Sequence, residues 1–294
     1  MVEEIIRRYT SGERQTAIAR AMGLDSRRIT YAIDRLGIKK HEHRLYALTN
    51  ERAFAEVTEG SAYWVGFIMG DGSIARDRYG VASSTVISLA ACDEAHILKF
   101  LRFAGSSQSP TVQLMHGGFS PHASAVTASI YSRPMVQDLL RFGVTHGKTK
   151  RASVELLADD RHFWRGLFDA DGSLGIYSHG RHGDGAHISI SEPEPLISQF
   201  ATYVRRNFPD HTVSVVRHPR TDVVRTIQLS NRIARSVVKL LYDGATVYLD
   251  RKMETARRVL DWRPRRRLDL LGSLFVGPAA TASIGPRGAS RTSA

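Results

Sequence analysis

The chain has 294 residues, room for one large domain or two to three small ones, and 42% are apolar, as in an ordinary globular protein. One cysteine, Cys92, excludes an internal disulfide and a Cys-rich zinc site, and no apolar run reaches membrane-spanning length. The net charge of +12 favours a polyanionic partner, most simply nucleic acid, and residues 1–10, with Glu3, Glu4, Arg7 and Arg8, do not resemble a secretory leader. A reducing, cytoplasmic setting without membrane association is expected.

The charge is uneven. Residues 1–48 hold ten Lys/Arg against six acids and residues 263–294 six against one, whereas 49–262 hold 25 against 22. Val2, Ile5, Ile6 and Tyr9 recur at a helical period, which Ser11-Gly12 breaks. A second helix is predicted over 14–22, with Ala17, Ile18 and Met22 inward, then a turn at Gly23-Leu24. Asp25 or Ser26 can cap a third helix to Leu36, with Ile29, Ile33 and Leu36 inward and Gly37 as its stop. Helix, glycine turn, capped helix is the helix-turn-helix pattern, whose second helix enters the major groove. A DNA-binding all-α domain is therefore expected over 1–48, with Ser26, Arg27, Arg28, Thr30 and Tyr31 toward DNA. Residues 49–60 are polar and read as a linker or a lead-in helix, with a cap at 59–61.

From there one plan runs twice, over 61–158 and 159–262. Tyr63-Trp-Val-Gly-Phe-Ile-Met-Gly-Asp-Gly-Ser73 matches Phe163-Trp-Arg-Gly-Leu-Phe-Asp-Ala-Asp-Gly-Ser173 at Trp64/Trp164, Gly66/Gly166, Asp71/Asp171 and Gly72/Gly172. In the first copy a strand at 84–90, a helix at 93–104, strands at 112–115 and 125–131 and a helix at 132–142 follow. In the second, strands at 174–177 and 187–191, a helix at 195–208, strands at 212–216 and 224–229 and helices at Asn231–Tyr242 and 253–260 follow. Echoes between Ile87-Ser-Leu and Ile188-Ser-Ile, and between Ile130-Tyr-Ser-Arg133 and Leu229-Ser-Asn-Arg232, support a duplication. The fold class is α+β: tandem pseudo-twofold α-β-β-α-β-β-α repeats plus the small helical domain. Residues 263–294, Arg-rich and then Ala/Gly/Ser/Pro-rich, read as a disordered basic tail.

The two opening helices are apolar nearly all round, so each must be buried. Each carries small residues four apart, Gly66/Gly70 and Gly166/Ala170, on one face. Packing along those faces brings the C-terminal ends together, with Gly72 and Gly172 expected to end the helices in the left-handed conformation. Asp71 and Asp171 then meet at two negative dipole ends, where carboxylates repel. A hard divalent cation, Mg2+ or Mn2+, relieves this, with Gly70 and Ala170 as further candidate metal contacts. Asp169-Ala-Asp171-Gly is not an EF-hand loop, because the glycine and final glutamate positions hold Leu174 and Gly180.

At these residues the chain resembles the LAGLIDADG homing endonucleases in their single-chain, two-motif form. The resemblance covers about 60–262 and implies two antiparallel sheets forming a saddle over DNA. It also implies metal binding by the last motif acid, here Asp71 and Asp171; the preceding acid position holds Asp169 in the second copy but Met69 in the first. A basic residue beside each scissile phosphate is implied too, and Lys148 and Lys252 fit by order, with Lys150 and Arg251 as register alternatives. DNA-reading candidates on the sheets and their loops are Arg76, Arg78, Ser84, Gln113, His116, Ser129, His179, Arg181, His182, Arg217, His218, Arg220, Arg225 and Gln228. The resemblance implies a monomeric enzyme cutting both strands of a long, asymmetric double-stranded DNA site. A non-cleaving transcriptional regulator on the same scaffold and an RNA-splicing maturase are the alternatives.

Overall fold

A computed structural model describes residues 1–11, 13, 15–37, 46–114, 124–146, 153–178, 184–217, 221 and 223–263. Its contacts divide the chain into two compact units: Met1–Ala53 with Ala75–Val136, and Phe54–Ile74 with Gln137–Ala294.

The first unit begins with helices α1 (Val2–Thr10), α2 (Gln15–Met22) and α3 (Ser26–Arg35). Ile5, Tyr9, Ile18, Ala19, Ile29 and Ile33 close one small core among them. Asp25 is the cap of α3, accepting from the Arg27 amide at 2.8 Å, and Gly37 follows in the left-handed region. Leu36, expected inward, is exposed, as is Ala17, while Ala19 takes the inward place. Residues 46–50 are fastened to the same unit: Leu48 bridges Ser106, the Thr49 amide donates to the Gly105 carbonyl at 3.0 Å, and Asn50 donates to the Phe103 carbonyl at 3.2 Å.

Helix α4 (Glu59–Gly70) starts at a capping box between Thr58 and Ser61, one residue before the predicted cap. It leads into β1 (Gly72–Arg76) and β2 (Ala82–Ala90), a 3-10 turn at Ala91–Asp93, α5 (Glu94–Phe103), β3 (Thr111–Leu114), β4 (Ser124–Tyr131) and α6 (Arg133–Arg141). The second pass gives α7 (Arg161–Asp171), β5 (Ser173–Ser178), β6 (Asp184–Pro193), α8 (Glu194–Asn207), β7 (Val215–Arg217), β8 (Val224–Ser230), α9 (Asn231–Tyr242) and α10 (Asp250–Asp261). The antiparallel sheets have matching orders, β1-β2-β4-β3 and β5-β6-β8-β7. This is the predicted α+β plan, written twice.

Alternation sets the faces of both sheets. Ile87 and Leu89 of β2 and Val126, Ala128 and Ile130 of β4 are buried on the side of α5, with Ile97, Phe100 and Leu101. In the second sheet Ile188, Ile190, Ile227 and Leu229 are buried under α8 and α9. With Ile130 matched to Leu229, the strand pairing equates Thr85 with Ile188 and Ile87 with Ile190. The echo of Ile87-Ser-Leu in Ile188-Ser-Ile is therefore out of register by two residues. A shift of two preserves the in–out pattern, so sequence alone cannot detect it.

Helices α4 and α7 pack backbone to backbone in the second unit. A Cβ on Gly66 would overlap the Phe163 carbonyl and lie 2.9 Å from the Leu167 nitrogen; one on Gly166 would overlap the Tyr63 carbonyl and lie 2.8 Å from the Phe67 nitrogen. The same is not true of the left-handed role expected for Gly72 and Gly172. Neither has a positive φ, and Gly172 is extended at φ −76°, ψ 159°. They are small because the chain turns back tightly: a Cβ would lie 2.8 Å from Ile68 Cα in one case and 2.6 Å from the Phe168 carbonyl oxygen in the other.

Two stability predictions follow from this packing. Gly66→Ala and Gly166→Ala each lower stability by about 1–3 kcal/mol or more, read by chemical denaturation, because the added carbon meets main chain that cannot rotate away. Thr85 is fully buried and its hydroxyl has no partner among the described residues, where the second repeat has Ile188. Thr85→Val, which keeps the shape and removes the stranded hydroxyl, raises stability by roughly 1 kcal/mol in the same assay.

Candidate active site

The chemistry gathers where α4 and α7 end, inside the second unit. Asp71 is the C-cap of α4, and Asp171 is the last residue of α7. Both are exposed, whereas Met69 and Asp169, two residues before them, are buried. The small-residue face sets the spacing: a Cβ on Gly70 would overlap that of Ala170 and lie 2.5 Å from Asp171 Oδ2. The Asp171 carboxylate thus lies against the end of α4, with Gly70 and Ala170 both half-exposed beside it.

Lys252, in the first turn of α10, completes the cluster. Its Nζ donates to the Phe168 carbonyl at 3.3 Å and to the Gly172 carbonyl. Burial pushes the Lys252 ammonium below the usual lysine range, while Asp169, Asp171 and Asp71 pull the other way. One cation therefore sits within the field of both end-of-helix acids. Arg251, its register alternative, is exposed. Lys148 and Lys150 lie outside the described residues.

Two buried charged residues in α7 hold this corner. Asp169 accepts from Tyr63 Oη at 2.8 Å, Tyr242 Oη at 2.5 Å and the Leu249 amide at 2.7 Å. Burial raises its carboxyl above the ordinary value, and these three donors oppose that rise. Leu249 is the N-cap of α10, so Asp169 ties the helix that carries Lys252 to both α4 and α9. Arg165, fully buried, donates to the carbonyls of Val247 and Leu241 at 3.0 Å each and to Glu59 Oε1 at 2.7 Å. The Thr246 amide donates to the same Glu59 oxygen at 2.8 Å. Despite burial, which raises it, that amide and Arg165 hold the Glu59 carboxyl low. In sequence Arg165 and Asp169 stand out only as differences from Val65 and Met69 of the first copy. A charge inside an otherwise apolar helix was the available signal for their role.

The open faces of the sheets are polar. Ser88 and Thr127 share a hydrogen bond of 2.8 Å across β2 and β4, and Ser191 and Thr226 share one of 2.8 Å at the equivalent place in β6 and β8. Ser129 and Gln228 are exposed on these faces, and Gln113 pairs in register with Ala125. Arg76 is exposed at the end of β1, and Arg78 lies over the Tyr79 ring at 4.7 Å. Arg225 and Arg217 do not join the open face. They pair with each other in register at the strand ends, on the side of Ile227, and Arg225 is ion-paired to Glu194 of α8 at 3.1 Å. Val216 is exposed on the open face instead, and Thr226, its partner in register, is buried. His116, His179, Arg181, His182, His218 and Arg220 lie outside the described residues. In α3, Arg28 and Tyr31 are exposed, while Arg27 folds back onto Asp25 at 2.9 Å.

No protein-family model matches the chain, and no curated protein does. Solved structures do. The homing endonuclease I-WcaI bound to its DNA recognition sequence aligns at a TM-score of 0.50 and 13% identity, covering 70% of this chain and 86% of that one. This is the fold of the LAGLIDADG homing endonucleases. The LAGLIDADG meganuclease I-AabMI bound to uncleaved DNA aligns at 0.46 and 11% identity, over 74% of this chain and 92% of that one. I-LtrWI bound to target DNA aligns at 0.44 and 8% identity, over 72% and 89%. Among the described residues no helix is long and apolar enough to cross a membrane. At these identities the LAGLIDADG likeness is one of fold.

Within the α4–α7 pair, Asp169→Ala strands three donors in a dry site. It lowers stability by about 2–5 kcal/mol in guanidinium unfolding, and Asp169→Asn, which keeps one acceptor oxygen, lowers it by less.

Proposed function

We propose that the chain is a site-specific, divalent-metal-dependent endonuclease that cleaves both strands of double-stranded DNA. The observation that carries this reading is the meeting of Asp71, Asp171 and Lys252 at the open end of the α4–α7 pair.

The donor set suits a hard divalent ion. Two carboxylates stand at two helix C-termini, where main-chain oxygens also concentrate negative charge. Two carboxylates leave ligand positions for water and phosphate oxygens. Asp71 and Asp171 would hold Mg2+ or Mn2+, with the carbonyls of Gly70 and Ala170 in support. Such an ion would supply activation of water and relief of charge at the phosphate.

The chain's own groups do the rest. Lys252, anchored to two carbonyls, holds positive charge where the pentacoordinate phosphate gathers negative charge. Water oxygen bonds to phosphorus as the backbone P–O bond on the opposite side breaks, the water giving up a proton to solvent and the leaving oxygen taking one from it. The polar open faces, with Ser88, Thr127, Ser191 and Gln228, would meet base edges. Arg76 and Arg78, exposed at the end of β1 and just after it, would contact the phosphate backbone. A single chain carrying two diverged repeats suits one monomer on a long asymmetric site. Arg28 and Tyr31 of the N-terminal helices would extend that contact.

The test is a cleavage selection from a library of long random duplexes, with Mg2+ or with EDTA, followed by sequencing of the ends. The parent chain cuts one family of sequences in Mg2+ alone. Asp71→Asn and Asp171→Asn bind the selected duplex but do not cut it, and Lys252→Ala slows cutting by about a hundredfold. Metal-independent binding with no cutting by the parent chain would instead support a DNA-binding regulator.

A further inference from the structure

A second basic site lies on the helical side of the second unit, away from Asp71 and Asp171 in sequence and in element. A cavity of about 380 Å³ is lined by Arg232, Arg235, Ser236 and Lys239 of α9 and by Leu260 and Trp262 at the end of α10. The apolar face of α9, with Ala234, Val237, Val238 and Leu241, is spent on the sheet. Arg232, Arg235, Ser236 and Lys239 recur at the spacing of the opposite face.

A basic helix face is usually a solvated one, and three features separate this one from that. It is concave, with an aromatic and an aliphatic side chain in its wall. Arg235 is fixed, its Nε donating to the Leu260 carbonyl at 2.8 Å, so its guanidinium is presented in one orientation. Arg232 and Lys239 form no salt bridge among the described residues. In the first repeat the counterpart of Arg232 is Arg133, which stands 3.9 Å from the Asp77 carboxylate; no acid lines the second site.

Three cations beside a half-exposed indole match a nucleotide: phosphate oxygens for the cations, a base face for the ring. The volume is that of a small-ligand pocket. The charge does not stop there, because Arg263 follows Trp262 and residues 265–267 are Arg-Arg-Arg. A run of cations that continues past Trp262 in the sequence favours a strand over a free nucleotide.

We propose that the α9–α10 cavity binds single-stranded nucleic acid, with a base against Trp262 and backbone phosphates on Arg232, Arg235 and Lys239. The site is independent of the cleavage reading and stands or falls without it.

Trp fluorescence isolates the event. Trp64 and Trp164 are buried at 1% and 0% exposure, so Trp262 is the tryptophan open to a ligand. The full chain is titrated with a twelve-residue oligothymidylate and, separately, with thymidine monophosphate, across a salt series. The oligomer quenches the emission, and Trp262→Phe abolishes the quench. Three phosphate contacts give a log–log salt slope of about −2, and Arg232→Ala/Lys239→Ala removes about 1.4 of it and weakens binding at least tenfold. Melting temperatures of the variants, compared with the parent, show that they remain folded. Equal quench and equal slope in the folded variants would overturn the site, and monophosphate binding as tight as the oligomer's would overturn the strand.

Discussion

Two helices in this protein touch through their main chains. Gly66 faces the Phe163 carbonyl and Gly166 faces the Tyr63 carbonyl, so each helix fits only where the other has no side chain. The contact fixes the axial register of the pair as well as its spacing. With Gly66 against the Phe163 carbonyl and Gly166 against the Tyr63 carbonyl, the two contacts lie at the same level of both helices. The ends of the two helices therefore arrive together, and Asp71 and Asp171 arrive with them.

Around that symmetric contact the charges are unsymmetric. The second repeat supplies Arg165 and Asp169, both fully buried, where the first has Val65 and Met69. Arg165 joins Glu59 of one helix to the carbonyls of Leu241 and Val247, and Asp169 joins Tyr63 to Tyr242 and the start of α10. Buried charges of this kind add little net stability, because desolvation offsets their attraction. Their effect here is positional. They make the α10 terminus, and with it Lys252, part of the same rigid corner as the two acids.

Much of the architecture was legible in the sequence because it depends on period and punctuation. The double motif, the small-residue faces and the caps at Asp25 and Gly37 all act within a few residues of themselves. What was not legible depends on contacts between distant segments. Strand register was misread by two because alternation repeats every two residues. Gly72 and Gly172 were read as left-handed when their smallness serves a tight return past Ile68 and Phe168. Arg225 and Arg217 looked like open-face residues until the pairing with Ile227 as reference put them on the other side. The roles of Asp169 and Arg165 were hidden because the groups that tie them to α4, α9 and the start of α10 lie 73 to 106 residues away.

The central claim is that the helix contact makes one metal site out of two acids. Manganese binding followed by electron paramagnetic resonance tests it most directly, using the parent chain, Asp71→Asn and Asp171→Asn at matched concentration. A shared site predicts that either single substitution weakens Mn2+ binding at least tenfold. Mn2+ bound by either variant as tightly as by the parent chain would contradict it.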